Sequence, residues 1–341
     1  KLHTYTIVDA INDGNVLPFR IDYVNTMRSM EGGTDKQVEA INTDSALLAP
    51  ERIAEIVAYI LEHFDQKTKR NTGFYAYNKL MNIEAVAKDQ KVKEVREKAK
   101  LNGFNTIFAV SSIEAAKLFY AEFQRQMAAH PEKALKIATI YSYGQNEQDP
   151  DGFIDDEDSD STAELDATSR EFLAGAIREY NGMFNTAYDT TADKFPNYYK
   201  DLSLRMKNRE IDLLIVVNMF LTGFDATTLN TLWVDKNLRQ HGLIQAFSRT
   251  NRILNTVKNF GNIVCFRDLQ KATEEAIALF GDKSASGIVL LKSYEDYYYG
   301  YEDENGRRQK GYEERIAELL QRYPLGTPIL GESAEKDFIA S

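Results

Sequence analysis

The stretch "IDLLIVVNMFLTGFDATTLNTLWVDKNLRQHGLIQAFSRTNRI", Ile211 to Ile253, decides how the rest of the chain is read. Two of its runs, "DLLIVV" and "NTLWVD", are apolar almost without interruption. A strand with one wet face alternates apolar and polar residues, so continuous runs predict central parallel strands covered on both faces. After the second run the spacing becomes helical. Gln245, Arg249 and Arg252 stand four and three residues apart, which predicts one helical face carrying two arginines and no acidic residue. Two such cations repel unless an anion lies between them, either a carboxylate from elsewhere in the fold or a phosphate.

The same texture extends in both directions. "NTIFAV" and "KIATIYS" upstream and "GNIVCF" downstream are short apolar strands, and "VLPFRIDYV" after a "NDGN" turn is another. Helical patterns alternate with them. "APERIAEIVAYILEHF" places Ile53, Ile56, Val57, Ile60 and Leu61 on one face. "SSIEAAKLFYAEFQRQM" opens with Ser111 and Glu114, spaced as a capping box. "IEAVAKDQKVKEVREKAK" predicts a charged amphipathic helix. "ATSREFLAGAIREYNGMF", "FPNYYKDLSLRMKNR" and "LQKATEEAIALFG" complete the set. Alternating β and α implies a doubly wound α/β layer. The tail from about Asp282 is polar and aromatic and predicts an extension.

Length and composition fit a soluble globular chain: 341 residues, 43% hydrophobic and 27% charged. No apolar run reaches the roughly 18 residues of a membrane helix, and no signal peptide is apparent, so no membrane partner is expected. The chain opens on Lys1 and runs straight into "YTIVDAI", the pattern expected of a piece of a longer protein. The single Cys265 excludes an internal disulfide and fits a reducing, cytoplasmic setting. The net charge is −11, but ten acidic residues fall between Gln145 and Asp166 with no basic one among them. The body of the chain is therefore nearly neutral, and the acidic balance does not exclude an anionic partner.

Two constellations offer chemistry. In "VVNMFLTGFDA" an apolar strand runs into Thr222, Gly223 and Asp225. Gly223 permits a tight turn or close approach of a ligand. Thr222 offers a hydroxyl and an amide to phosphate, and Asp225 can accept from sugar hydroxyls or orient an arginine. Ligands of open α/β sheets lie beyond the carboxyl ends of the strands. A tight turn with a capping Asp gives the same pattern, and a solvated basic face gives the Gln245/Arg249/Arg252 pattern. The four histidines show no ligand spacing with Cys265, so no zinc site is expected. "DDEDS" at Asp155 reads as a solvated loop. Trp233 reads as core or interface. "YYYGY" from Tyr297 either stacks on bases or packs on a neighbouring domain.

A turn with Thr-x-x-Asp, a strand, then Gln-x-x-x-Arg-x-x-Arg is the order of motifs V and VI in superfamily 2 helicases. Together with "YTIVDAINDGNVLPFRIDYV", "NTIFAVSSIEAAKLFY" and "ALFGDKSASGIVLLKSYEDYYYGY", it resembles the motor (R) subunit of Type I restriction enzymes over most of the chain. The resemblance implies a RecA-like second helicase domain, with a mostly parallel sheet, helices on both faces, a helical insertion and a C-terminal extension. It divides the chain into a junction and first strand at 1–30, the insertion at 31–102, the RecA-like domain at 103–281, and at 282–341 an extension leading into a helical domain. Arg249, Arg252 and Gln245 match motif VI and imply catalytic roles towards ATP. Gly223 and Asp225 match the nucleotide-binding part of motif V. Thr222, with Ser111 and Ser112 of motif IV, implies contacts to DNA phosphates. The implied activity is ATP-dependent Type I site-specific deoxyribonuclease and translocase action on double-stranded DNA. The implied partners are the methyltransferase and specificity subunits. No G-x-x-x-x-G-K-[ST] occurs in these 341 residues. ATP and Mg are therefore expected to bind mainly to a first helicase domain of the same chain, and this piece alone is expected to be inactive.

Overall fold

The computed structural model describes residues 7–24, 26, 46–89, 91–141, 165–280, 290–291, 294–302, 307–329 and 331–340. The acidic stretch, apart from Leu165 and Asp166, and the "FGDKSAS" region from Gly281 on lie outside the described residues. The chain divides into two compact units, Lys1–Val289 and Leu290–Ser341.

The first unit is built on six parallel strands. They are β1 (Phe19–Tyr23), β4 (Asn105–Val110), β5 (Ile137–Ile140), β6 (Leu213–Val216), β7 (Leu229–Asp235) and β8 (Gly261–Cys265), in the order β5-β6-β4-β7-β8-β1. Each falls, to within one residue, inside a segment predicted as a strand. β4, β5, β6, β7 and β8 are buried along their whole length, so both faces of the sheet are covered, as continuous apolar runs require. This is the α/β architecture of the RecA-like layer.

Helix Pro50–Thr68 buries the predicted stripe Ile53, Ile56, Val57, Ile60 and Leu61, with Pro50 in its first turn, where a missing N–H costs nothing. Arg52 of this helix ties it to the carboxyl edge of the sheet. Its guanidinium reaches both Asp235 oxygens, at 3.1 and 2.5 Å, and donates to the Phe266 carbonyl. Arg267 donates to the same carboxylate at 2.6 Å. Asp235 is 1% exposed, and these two arginines are its ion-pair partners. Phe108 of β4 meets Phe119 and Phe123 of helix Ile113–Ala129, and Trp233 stacks on Phe266. Trp233 is fully buried and belongs to the core.

Two sequence expectations need correction. The segment predicted as a charged helix is helical only over Ile83–Lys88. It then forms β3 (Arg96–Asn102), antiparallel to β2 (Phe74–Leu80). The described part of 31–102 is therefore one long helix, one short helix and a hairpin. The capping box also shifts by one residue. Ser112, not Ser111, is the N-cap, and its Oγ accepts from Ala115 N at 3.1 Å. Glu114 then falls one position short of closing a box and faces Lys117 instead, at 3.7 Å.

The second unit holds helix Tyr294–Tyr299, a short hairpin pairing Gly300–Glu302 with Arg308–Lys310, and helices Tyr312–Arg322 and Glu332–Ala340. Tyr297 and Tyr299 of the aromatic cluster are more than half exposed. Among the described residues, no helix is long and apolar enough to cross a membrane.

Candidate functional site

The connection from β6 to β7 carries the first constellation back across the sheet without a helix. Gly223 takes φ +65°, where a side chain is strained, and the chain turns there. Five residues later it reaches Thr228, whose carbonyl accepts from Asn105 N at the start of β4. Asp225 therefore sits at the amino edge of the strands, contrary to the expectation of a carboxyl-edge site. The carboxyl-edge rule assumes a βα loop, and here the candidate residues lie at the far end of a β-to-β crossover.

The second constellation arrives at the same edge. Helix Gln240–Phe247 ends before the arginines, so Gln245 is helical and Arg249 and Arg252 lie on the chain that follows. This corrects the single helical face predicted from the spacing. The helix stops because Arg249 and Thr250 turn back on it. Arg249 N bonds to the Ala246 carbonyl and Thr250 N to the Phe247 carbonyl. Thr250 then packs against Gly261 at the start of β8, where a Cβ would overlap Thr250 Oγ1 and lie 3.1 Å from its carbonyl carbon. Next along the chain, the Asn251 carbonyl accepts from Leu17 N just before β1. The arginine segment is thus pinned to the amino ends of two strands.

The two constellations meet there. Arg249 donates from Nη1 to the Phe224 carbonyl at 2.7 Å and from Nε to the Gln245 carbonyl at 3.0 Å, capping the helix end with positive charge. Arg252 Nε lies 3.1 Å from Asp225 Oδ1 as an ion pair, with the side chains 37% and 61% exposed. The buried-carboxylate arrangement that would make these arginines purely structural is absent at Arg252: its partner is the more exposed of the two. Gln245 is exposed and engages Arg249 through its backbone carbonyl. Thr222 is half-buried on the crossover. Ser111 and Ser112 lie at the opposite, carboxyl edge, following β4, whose six residues separate the edges by about 20 Å. They are not brought together with Asp225 and the arginines.

Sequence reading missed Lys258. It is 2% exposed, and its Nζ donates to the Thr227 carbonyl at 3.0 Å and the Leu229 carbonyl at 2.6 Å, bracing the chain just after Asp225. Burial lowers its pKa to about 7, opposed by the Asp225 carboxylate and assisted by Arg252. Nothing in "NTVKNF" signals a buried cation. A cleft of about 150 Å³ opens beside Asp225, lined by Ala226, Thr227, Lys207, Asn208, Tyr77 and Arg96 among others.

The six parallel strands with helices around them have the α/β architecture expected of a RecA-like domain. The chain belongs to the family of Type I restriction enzyme R subunits. Residues 102–268 match the family model for Type I restriction enzyme subunit R domain 3. A Type I restriction enzyme endonuclease subunit of Staphylococcus aureus is 38% identical over 300 residues, which is 87% of this chain and 28% of the relative. The HindI endonuclease subunit of Haemophilus influenzae is 35% identical over 82 residues, 24% of this chain and 8% of the relative. The chain thus spans less than a third of the length of these relatives. A fragment structure of an HsdR subunit of a type I restriction enzyme from Vibrio vulnificus overlaps 84% of this chain and 38% of its own, with 14% identity and a TM-score of 0.38, too loose to add weight.

Proposed function

We propose that this chain is the second motor domain of an ATP-dependent double-stranded DNA translocase, the R subunit of a Type I restriction enzyme. The meeting of Asp225 with Arg252, and of Arg249 with the Phe224 carbonyl, carries this reading. It gathers two sequence-distant motifs into one partly exposed, cationic edge. In the intact subunit a first helicase domain of the same chain would hold ATP and Mg. Arg249 and Arg252 would supply positive charge to the phosphates from across the cleft. Asp225 would orient Arg252, Gly223 would let the backbone approach the nucleotide, and Gln245 would hold Arg249 in place.

Ser111, Ser112 and Thr222 would bind DNA phosphates through hydroxyls and helix-start amides, positioning without reading sequence. The separation of Ser111 and Ser112 from the arginines fits a division of labour, with nucleotide at one edge and part of the DNA grip at the other. Loss of the phosphate contact after hydrolysis would then free the domain to re-orient and shift that grip. The subunit would act in the cytoplasm beside methyltransferase and specificity subunits.

The test is ATP hydrolysis by the intact subunit. Arg249→Ala or Arg252→Ala should lower it by roughly 10³-fold or more, the scale of other phosphate-stabilising arginines. Turnover within tenfold of normal in the double variant would refute the assignment.

A further inference from the structure

The hairpin β2–β3 has two unlike faces. Its inner face is fastened to the body of the unit. Tyr75 stacks on Phe104 at 5.2 Å and donates to the Gly103 carbonyl at 3.0 Å. Tyr77 donates to the Lys207 carbonyl, and Lys79 pairs with Glu210 at 2.9 Å. Asn208 completes the attachment, accepting from Leu80 N at 2.9 Å and donating to Leu80 O at 2.7 Å. The ribbon is therefore held rigidly.

The outer face carries Phe74, Ala76 and Asn78 on β2 and Arg96, Lys98 and Lys100 on β3, all exposed. These six positions hold three cations and no carboxylate. Arg96 is partly neutralised by Glu94 at 2.8 Å. Lys98 and Lys100 have no ion pair among the described residues, and Lys100 lies 4.8 Å from the Phe74 ring centroid. Opposite them in register are Asn78 and Ala76, where a carboxylate would have relieved their repulsion. Successive residues on one face of a strand advance about 6.8 Å. That is about the axial rise of two phosphates along one strand of duplex DNA. Ala76 and Asn78, short side chains opposite Lys100 and Lys98, leave room for a polyanion to lie against these two cations.

We infer that this face is a second DNA contact, with Lys98 and Lys100 on the phosphates of the duplex and Arg96 beside them. The inference rests on the reading of the chain as a DNA motor, but uses none of the residues assigned above. Arg96 also lines the cleft beside Asp225, so the contact would lie next to the nucleotide edge.

The experiment measures affinity of the intact subunit for non-specific duplex DNA as a function of potassium chloride. Lys98→Gln/Lys100→Gln should lower the slope of log affinity against log salt by about 2, so between 50 and 200 mM salt the unaltered protein loses about tenfold more affinity than the variant. Lys98→Arg/Lys100→Arg should keep the original slope, since phosphate contact needs charge rather than an ammonium. An unchanged slope and affinity in the glutamine variant would overturn the inference and leave a solvated surface. Failed assembly with partner subunits at an unchanged slope would overturn it in favour of a protein docking face. Its failure is distinguishable from that of the motor reading, because the Arg249 and Arg252 variants test hydrolysis and should not move the slope.

Discussion

Arg252 Nε lies 3.1 Å from Asp225 Oδ1, and the carboxylate is the more exposed of the two. A pair so open to water contributes little to stability, typically under about 1 kcal/mol. Its value is geometric: the carboxylate fixes where the guanidinium points. In the intact subunit, Asp225→Ala should therefore lower ATP hydrolysis mainly through Arg252. The double variant Asp225→Ala/Arg252→Ala should be little worse than Arg252→Ala alone, because residues acting as a unit are not additive. Rates measured over the four proteins of the cycle decide this. Strictly multiplicative losses would show that Asp225 acts independently of Arg252.

Lys258 gives a prediction in pH. Its folded pKa of about 7 lies below the ordinary lysine value of 10.5, with burial as the main cause. Between these two values the unfolded chain holds a proton that the folded chain does not. Stability should therefore rise with pH from about 7 to 10.5 through this residue, and level off below 7. Lys258→Met removes the titration. Urea unfolding at pH 7 and pH 9.5 should show the variant gaining on the parent chain at the lower pH, by up to a few kcal/mol. An equal difference at both values would mean that Lys258 stays charged in the fold. Loss of its bonds to the Thr227 and Leu229 carbonyls offsets part of the gain at either pH.

The strands were legible because burial on both faces leaves one sequence pattern, the unbroken apolar run, and β4, β6, β7 and β8 each carry it. The hairpin was not. In "VREKAKLN" only Lys98 to Asn102 alternate polar with apolar residues, and after the charged run Arg96, Glu97, Lys98 this short period-2 signal yields to a high helix propensity. What selects the strand is pairing with "FYAYNKL", whose tyrosines bury against Phe104 and bond to Lys207, a tertiary preference that overrides local propensity. At the site, residue identities were legible and placement was not. Spacing alone put the arginines on a helix, whereas close packing of Thr250 on Gly261 ends the helical path before them. Lys258 left no trace, since a buried lysine is defined by the carbonyls around it.

Ser111 and Ser112 separate stability from function. Only Ser112 caps its helix. Ser112→Ala should lower the unfolding free energy of the chain by about 1 kcal/mol, and Ser111→Ala by clearly less. Denaturant titration of the two variants decides this. Equal costs would place the helix start elsewhere. If Ser111 binds DNA phosphate, its alanine variant should still weaken DNA-stimulated hydrolysis in the intact subunit, equally for every DNA sequence.

The last prediction concerns free nucleotide and the 341-residue chain. Its cationic edge is already engaged. Arg249 is bonded to the Gln245 and Phe224 carbonyls and Arg252 is paired with Asp225, so a phosphate must displace or share these partners. The 341 residues contain no G-x-x-x-x-G-K-[ST] motif, and among the described residues no cluster of carboxylates, histidines or cysteine is able to hold a metal. Two partly occupied arginines must therefore replace the full hydration of a triphosphate, an exchange with little net gain. Calorimetry with ATP and magnesium should show no binding tighter than roughly millimolar, about 4 kcal/mol, and no turnover above a buffer blank. The same arginines acquire their effect when a second domain holds the nucleotide, because its entropy and desolvation costs are then met elsewhere. Micromolar binding by the 341-residue chain alone would place the nucleotide site within it and displace the arginines from the supporting role given to them here.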